Sequence, residues 1–287
     1  MLLLAAALAA GCTIGDAGRG APSSSAVQPA SSAAPSSATP PAAAPTRIPT
    51  TPEGLRAGIE AELADLGGSA SLAVSDGGTS TVFGSGGDSA AWSTSKVPLS
   101  MAALRKNGQV TADVRAAIVN SDNEAAERVW ASLGAPALAG QAVEQVLRDN
   151  RDEVTVVQTE RVRAGFTAFG QTRWSDGAAA RFAARVPCST EGTAVLRLMR
   201  QVAGNQQWGL WGVRGPDAIG VKGGWGPDLD GGYLVRQLAV LQSPRGNTGV
   251  MLTVRPADGS QAGGHAALTR IGAVLARHLD ELPAARC

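Results

Sequence analysis

Lysine, histidine and long apolar runs are scarce in this 287-residue sequence, and each shortage narrows the functions that the protein can have. Lysine occurs at three positions against 22 arginines, and the net charge is +1. This balance gives no basic stripe of the kind expected of nucleic-acid binding. The two histidines and three cysteines have no zinc-site spacing, and no phosphate loop or dinucleotide fingerprint is present. We therefore expect no metal, no cofactor and no nucleic-acid partner.

No apolar run reaches the roughly 20 residues that a membrane-spanning helix needs. The apolar N-terminus, residues 1–12, ends in small residues before Cys12. That pattern resembles a bacterial lipobox, in which Cys12 would carry the lipid and become the mature N-terminus. An ordinary secretory signal or an N-terminal core helix are the alternatives.

Residues 13–51 are dominated by Ser, Ala, Pro, Thr and Gly. Such a segment cannot bury enough apolar surface to offset the entropy of ordering it, and its prolines favour a semi-extended tether. Together with a lipidated Cys12, it predicts a domain held on the outer face of the bacterial cell membrane. In that oxidising compartment Cys188 and Cys287 are expected to form a disulfide, the alternative being two unrelated thiols.

The rest of the chain, residues 52–287, is expected to form the folded domain. A helix and a hairpin come first, a mostly helical stretch follows over 93–204, and three strands and an amphipathic helix close the chain. A lone hairpin is barely stable, so strands from both ends must pair. We predict an α/β (α+β) fold: an antiparallel sheet with the terminal helices on it, formed by 52–92 and 205–287, and an inserted, reduced helical lobe. A cleft between these lobes is the natural position for a site. The helices predicted in the inserted lobe are Ser93–Lys106, Thr111–Val119, Asn123–Leu133, Pro136–Arg148, Ser175–Ala184 and Thr190–Val202.

A first candidate motif is Ser93 in AWSTSKVPLSMAAL, three residues before the scarce Lys96. On a helix these positions share a face, so the lysine can reach the serine hydroxyl. Serine needs a base to become a nucleophile, and lysine can be that base when its pKa is lowered, whereas arginine stays protonated. The alternative is that Ser93 is a helix cap and Lys96 is solvated.

Two further motifs follow along the chain. Ser121-Asp122-Asn123 lies between two helical patterns, where a loop could deliver Ser121 as a proton shuttle and Asn123 as an amide binder; the alternative is a helix-capping box ending at Glu124. Lys222-Gly223-Gly224 ends a predicted strand, where glycines allow close approach of a ligand; the alternative is a β-turn with a surface lysine.

Ser-x-x-Lys, Ser-Asp-Asn and Lys-Thr-Gly, in this order, are the signature set of penicillin-recognising serine enzymes. Over about residues 52–282 the chain resembles the class A β-lactamase-like branch of that superfamily and its D-Ala-D-Ala peptidase relatives. The resemblance implies that Ser93 forms an acyl-enzyme, with Lys96 as its base and Ser121 as the proton donor to the leaving nitrogen. It further implies that Asn123 and Gly224 contact substrate and that Lys222 supplies positive charge.

Two departures from this pattern bear on activity. Gly223 lacks the hydroxyl that helps to bind a substrate carboxylate, and Arg236 on the next strand either compensates or faces solvent. The nearest counterpart of the deacylating glutamate is Glu160, for which a surface position is the alternative. We therefore expect a monomeric serine hydrolase acting on a β-lactam or a peptidoglycan-like amide, or a degenerate domain that binds envelope ligands or partners without turnover.

Overall fold

The structure, a computed structural model, describes residues 53–85, 87–228 and 232–287. The predicted signal segment, the tether and Cys12 lie outside these residues. None of the helices within the described ranges combines the length and the apolar character needed to cross a membrane.

Eight α-helices are found in the described part of the chain, and most lie within two or three residues of the sequence-based expectation. Asn123–Leu133 matches its prediction at both ends, with the Asp122 side chain capping it by accepting a hydrogen bond from the amide of Ala125. The helices are α1 (Glu53–Asp65), α2 (Lys96–Asn107), α3 (Ala112–Val119), α4 (Asn123–Leu133), α5 (Pro136–Asp149), α6 (Asp176–Arg185), α7 (Thr190–Met199) and α8 (Gln261–Ala276).

Seven strands within the described residues form two sheets. The larger one is antiparallel throughout, with the order β2-β1-β7-β6-β5, so strands from both ends of the chain pair as predicted. Strand β5 lies at one edge. The strands are β1 (Ser69–Ser75), β2 (Ser80–Gly84), β3 (Asp88–Ala90), β4 (Arg173–Ser175), β5 (Ala218–Pro227), β6 (Tyr233–Ser243) and β7 (Gly246–Arg255). The predicted fold class is confirmed.

The two faces of the large sheet belong to two hydrophobic clusters, as the alternation of side chains along a strand requires. Leu72 and Leu252 pack with the buried residues of α1 and α8, so both terminal helices cover one face. Ala73 and Met251, each one position along its strand, pack with α6 and the helices of the middle of the chain. Each fully buried aliphatic side chain of this kind contributes about 1.5–3 kcal/mol.

The C-terminus is tied to the middle of the chain. Cys188 and Cys287 form a disulfide with Cα atoms 5.3 Å apart, which confirms the predicted pairing. The tail also pairs with β7 through a bridge between Asn247 and Ala285. A cross-link across a separation of 99 residues restricts the unfolded chain and is worth up to about 4 kcal/mol in the chain-entropy account.

Candidate active site

The segment that carries Ser93 is strained at the preceding residue. Trp92 has a φ of 48°, a region that non-glycine residues seldom adopt. A 3-10 turn then runs over Trp92–Ser95 and leads into α2. Predicting one helix from Ser93 was therefore wrong by three residues, since the chain adopts the tighter turn first. Side chains three apart nearly eclipse in a 3-10 turn, so Ser93 and Lys96 lie on one side.

Lys96 is buried, with 1% of its surface exposed. Its Nζ donates to the carbonyl oxygen of Ser121 at 2.7 Å and to Oδ1 of Asn123 at 2.7 Å. Burial lowers the pKa of Lys96 to about 7, against the opposing influence of the Asp122 carboxylate. A lysine with a pKa near neutrality can accept a proton at physiological pH, as a general base must.

Ser121 lies in the loop between α3 and α4 and has a φ of 58°. It does not cap α4, because that position belongs to Asp122; the capping alternative for Ser121 is excluded. Ser121 thus has a left-handed backbone, and Ser93 directly follows the left-handed Trp92. Strain of this type concentrates at functional sites.

Lys222 projects from β5 and is fully buried. Its Nζ donates to Oγ of Ser121 at 2.9 Å, to Oε1 of Gln206 at 2.5 Å and to the carbonyl oxygen of Gly223 at 2.8 Å. Burial, and then the charge of nearby Lys96, hold the pKa of Lys222 well below its usual value. The three sequence motifs thus meet: Lys96 and Lys222 both bind the loop that carries Ser121.

Gln206 is a buried part of this cluster that the sequence analysis did not find. Its Oε1 accepts from Lys222 and from the amide of Gly223, and its Nε2 donates to the carbonyls of Ile118 and Val119. It therefore joins the end of α3, just before the Ser121 loop, to β5. A glutamine in the polar stretch GNQQW carries no signal that would have singled it out.

Gly224 lets β5 run against the backbone that carries Ser93. A Cβ atom at Gly224 would lie 3.0 Å from the amides of Ser93 and Thr94 and from the carbonyl of Ala91. The free edge of β5 also faces this side: the Gly223 amide points away from β6, to Gln206. The Trp225 amide, two residues on, must then point the same way, and its neighbour Gly224 lies against the Ser93 amide.

At Gly223 no side chain fits, because two tryptophans occupy the space. A Cβ atom there would lie 2.7 Å from the ring of Trp208 and 3.0 Å from that of Trp225. The two rings meet edge to face at 6.2 Å, and His265 stacks on Trp208 at 4.3 Å. The third motif therefore lacks its hydroxyl at the position where the rings of Trp208 and Trp225 pack. We call these two rings the aromatic wall.

Arg236 does not face the cleft, and its predicted role in binding substrate is wrong. It is fully buried and forms an ion pair with Asp176 at 2.8 Å, while its other donors bind Thr253 and the carbonyls of Ser89, Ala90 and Trp174. In the sheet, Arg236 pairs with Gly224. Every donor is used beneath the segment that leads to Ser93, so a substrate carboxylate finds no free guanidinium here.

Glu160 has an exposed side chain, and its carboxylate makes no hydrogen bond within the described residues. Its predicted alternative, a surface position, is what the structure shows. No hydrogen bond in the described ranges joins any carboxylate to Ser93, Lys96, Ser121 or Lys222. In the same residues, no group of His, Cys, Asp or Glu could hold a metal ion.

A cavity of about 490 Å³ lies away from these groups, between the 207–214 segment and α8. Trp208 lines it and is shared with the aromatic wall, but none of the motif residues does. The site is therefore defined by the convergence of motifs along β5 and not by this cavity.

An antiparallel sheet covered by terminal helices, with Ser93 between it and the middle helices, is the fold of penicillin-recognising serine hydrolases. Among these, the fold is that of the class A β-lactamases. A class A β-lactamase from Mycobacterium abscessus is 15% identical, with a TM-score of 0.61, over 79% of this chain and 99% of that one. β-Lactamases from Xanthomonas campestris and Burkholderia vietnamiensis are each 18% identical, with TM-scores of 0.58 and 0.60, over 78% and 79% of this chain and 97% and 96% of theirs.

No protein-family model and no curated protein matches the chain. At identities of 13–18% the likeness is one of fold. The resemblance inferred from the motifs is confirmed at that level, and the chemistry of the site has to be argued from its own residues.

Proposed function

We propose that the site performs acyl-serine chemistry, with Ser93 as the nucleophile and a β-lactam or a peptidoglycan-like amide as the substrate. The observation that carries this proposal is the pair of buried lysines on the Ser121 loop. Lys96 and Lys222 bind that loop from α2 and from β5, and β5 itself runs against the Ser93 amide at Gly224. Burying two lysines is costly, and a purely structural role would be met more cheaply by apolar residues.

In the proposed acylation, Oγ of Ser93 attacks the substrate carbonyl carbon and its proton passes to Nζ of Lys96. The amides of Ser93 and Trp225 hold the oxyanion. As the carbon–nitrogen bond breaks, the Ser121 hydroxyl protonates the leaving nitrogen and regains a proton from the lysines. Oγ of Ser121 accepts a hydrogen bond from Lys222, so the proton of the hydroxyl points away from Lys222 and is available to the leaving nitrogen. Asn123, whose Oδ1 binds Lys96, keeps its amide N–H groups for the substrate.

Release of the acyl group is expected to be slow. Hydrolysis needs a base that activates water on the acyl-enzyme, and Glu160 is exposed, with no hydrogen bond from its carboxylate to the site residues in the described part of the chain. The proposed enzyme therefore accumulates its acyl form, with a burst of one equivalent followed by slow turnover.

The test is to incubate the purified protein with a fluorescent penicillin and to measure intact mass and peptide maps. We expect one adduct on Ser93, lost in Ser93→Ala and kept in Ser95→Ala, a neighbouring serine whose hydroxyl only binds the carbonyl of Trp92. Labelling that persists in Ser93→Ala would remove Ser93 as the nucleophile.

A second candidate is a binding domain without turnover. It is favoured by Oγ of Ser93, which makes no hydrogen bond to Lys96 or to any other group in the described ranges. Hydrogen bonds of catalytic groups often form only with substrate present, so acyl-serine chemistry is compatible with this geometry too. Saturable, reversible binding of the same penicillin without a mass change would favour this candidate.

We also propose that the domain is a monomer, tethered outside the cytoplasm through a lipid on Cys12. The support for the anchor is the N-terminal sequence pattern. Expression of the full chain in a bacterial host should place it in the membrane fraction, and Cys12→Ala should release it. An unchanged distribution in Cys12→Ala contradicts the anchor. Light scattering of the released domain measures its oligomeric state.

A further inference from the structure

The guanidinium of Arg163 is held by three groups near the Pro227 end of β5. Its Cζ lies 5.5 Å from the ring centroid of Trp92 and 4.7 Å from that of Phe166, and the two rings meet edge to face at 5.1 Å. Nη1 donates to the carbonyl oxygen of Pro227 at 3.0 Å. Trp92 directly precedes Ser93, and Pro227 ends β5. The arginine therefore connects the segment before α6 with the turn that carries Ser93 and with β5.

Arg163 and Lys222 lie on opposite sides of the Ser93 amide. Along β5, Lys222 comes first, Gly224 lies against that amide, and Pro227 follows three residues later, about 10 Å further on at 3.3 Å per residue. The proposed proton donor, Ser121, is on the Lys222 side. The leaving group therefore points toward Lys222 and the acyl part toward Arg163.

Arg163 has donors to spare. Of its five N–H groups, one is used by Pro227, and Nε and Nη2 make no hydrogen bond within the described residues. The side chain is partly exposed, and the adjacent acid, Asp228, is paired with Arg255. A guanidinium with its fork free and its plane fixed by aromatic rings matches the geometry of a carboxylate.

The Lys222 end of the site offers no such partner. All three hydrogen bonds of the Lys222 ammonium are made within the protein, and Arg236 is buried in its ion pair. At Gly223 the rings of Trp208 and Trp225 fill the space that a side chain would take, and no hydroxyl is present. This end therefore has no free cation or hydroxyl for a carboxylate and suits an uncharged leaving group.

We propose that the site selects acyl donors whose acyl part carries a carboxylate, bound by Arg163, and whose leaving group is uncharged. Arg163 is then a specificity-determining residue. The proposal rests on the acyl-serine function proposed above and narrows its substrate class: a penicillin, whose carboxylate lies on the leaving-group side, is then a poor substrate that should acylate Ser93 slowly.

The test uses two isomeric esters, phenyl (4-carboxyphenyl)acetate and 4-carboxyphenyl phenylacetate, which differ in the side of the ester that carries the carboxylate. The rate of Ser93 acylation by each is measured by intact mass for the wild type, Arg163→Met and Arg163→Lys. Comparing the ratio of the two rates between proteins cancels the intrinsic reactivity of the esters. The matched control is Arg161→Met, an exposed arginine that pairs with Glu127.

The ratio compares the acylation rate of phenyl (4-carboxyphenyl)acetate with that of 4-carboxyphenyl phenylacetate. We expect Arg163→Met to lower this ratio by about tenfold to a hundredfold, the usual range for a hydrogen-bonded charge. Arg163→Lys should restore part of it, and Arg161→Met should leave it unchanged. An unchanged ratio in Arg163→Met overturns the proposal while leaving acyl-serine chemistry intact. Acylation by neither ester in the wild type contradicts acyl-serine chemistry itself.

Discussion

Nζ of Lys222 and Oγ of Ser121 are 2.9 Å apart, and this hydrogen bond joins the edge strand β5 to the loop between α3 and α4. The two residues are separated by 101 positions in sequence. Their contact unites the second and third motifs, and Lys96 completes the cluster by binding the carbonyl of the same serine. These two hydrogen bonds join the three residues into one unit.

Gln206 is expected to hold that unit in place. Replacing it by leucine removes an acceptor from a buried lysine, which should cost about 1–3 kcal/mol of stability. Acylation should slow as well, because the Ser121 loop loses its link to β5. Urea unfolding and acylation rates measure both effects. The control is Gln207→Leu, an exposed neighbour, and equal effects of the two variants would argue against a positioning role.

Gly223 should reject the threonine that its motif position usually carries. The rings of Trp208 and Trp225 would be overpacked, so Gly223→Thr should lose about 1–3 kcal/mol of stability in thermal or urea unfolding. Gly87→Thr is the control, since a Cβ atom there meets nothing within 4 Å. A Gly223→Thr variant as stable as Gly87→Thr would mean that the aromatic wall is not rigid.

The buried pair of Arg236 and Asp176 should matter for stability. Arg236→Met leaves an unpaired buried carboxylate and should cost about 3–5 kcal/mol, whereas the double variant with Asp176→Leu should recover much of it. Arg56→Met, which breaks an exposed pair with Glu60, should change stability by at most about 1 kcal/mol. If the double variant were no better than the single one, hydrogen bonds to the backbone, and not charge pairing, would be the main contribution.

The disulfide between Cys188 and Cys287 should contribute about 2–4 kcal/mol. The double variant with serine at both positions should show this loss in urea unfolding, and a reductant should lower wild-type stability without affecting the variant. Equal stability of the oxidised and reduced wild type would contradict the estimate.

Most elements could be predicted from the sequence because long periodic segments carry their own signal. Helix α4 begins and ends where the pattern places it, although its cap is Asp122 and not Ser121, and strands from both ends of the chain pair as expected. The three-residue strands β3 and β4 were missed, since so few residues show no alternation.

The site was only partly predictable. Short motifs identified Lys96, Ser121 and Lys222, which the structure brings together, because they have characteristic spacings. The face on which Arg236 lies depends on strand register, which local sequence does not determine. Gln206 takes part only through long-range contacts, so nothing near it in the sequence marks its role.

The most direct measurement of the central claim is the pH dependence of Ser93 acylation, in the wild type and in Lys96→Ala. Because burial lowers the pKa of Lys96 to about 7, the base is protonated and inactive below that pH and becomes free above it. The acylation rate should therefore rise with pH through a midpoint near 7 and then level off. Lys96→Ala should lose about 100-fold to 10,000-fold in rate, together with that midpoint. A wild-type rate that does not change between about pH 5 and 9, or a midpoint that survives in Lys96→Ala, would contradict Lys96 as the base that activates Ser93.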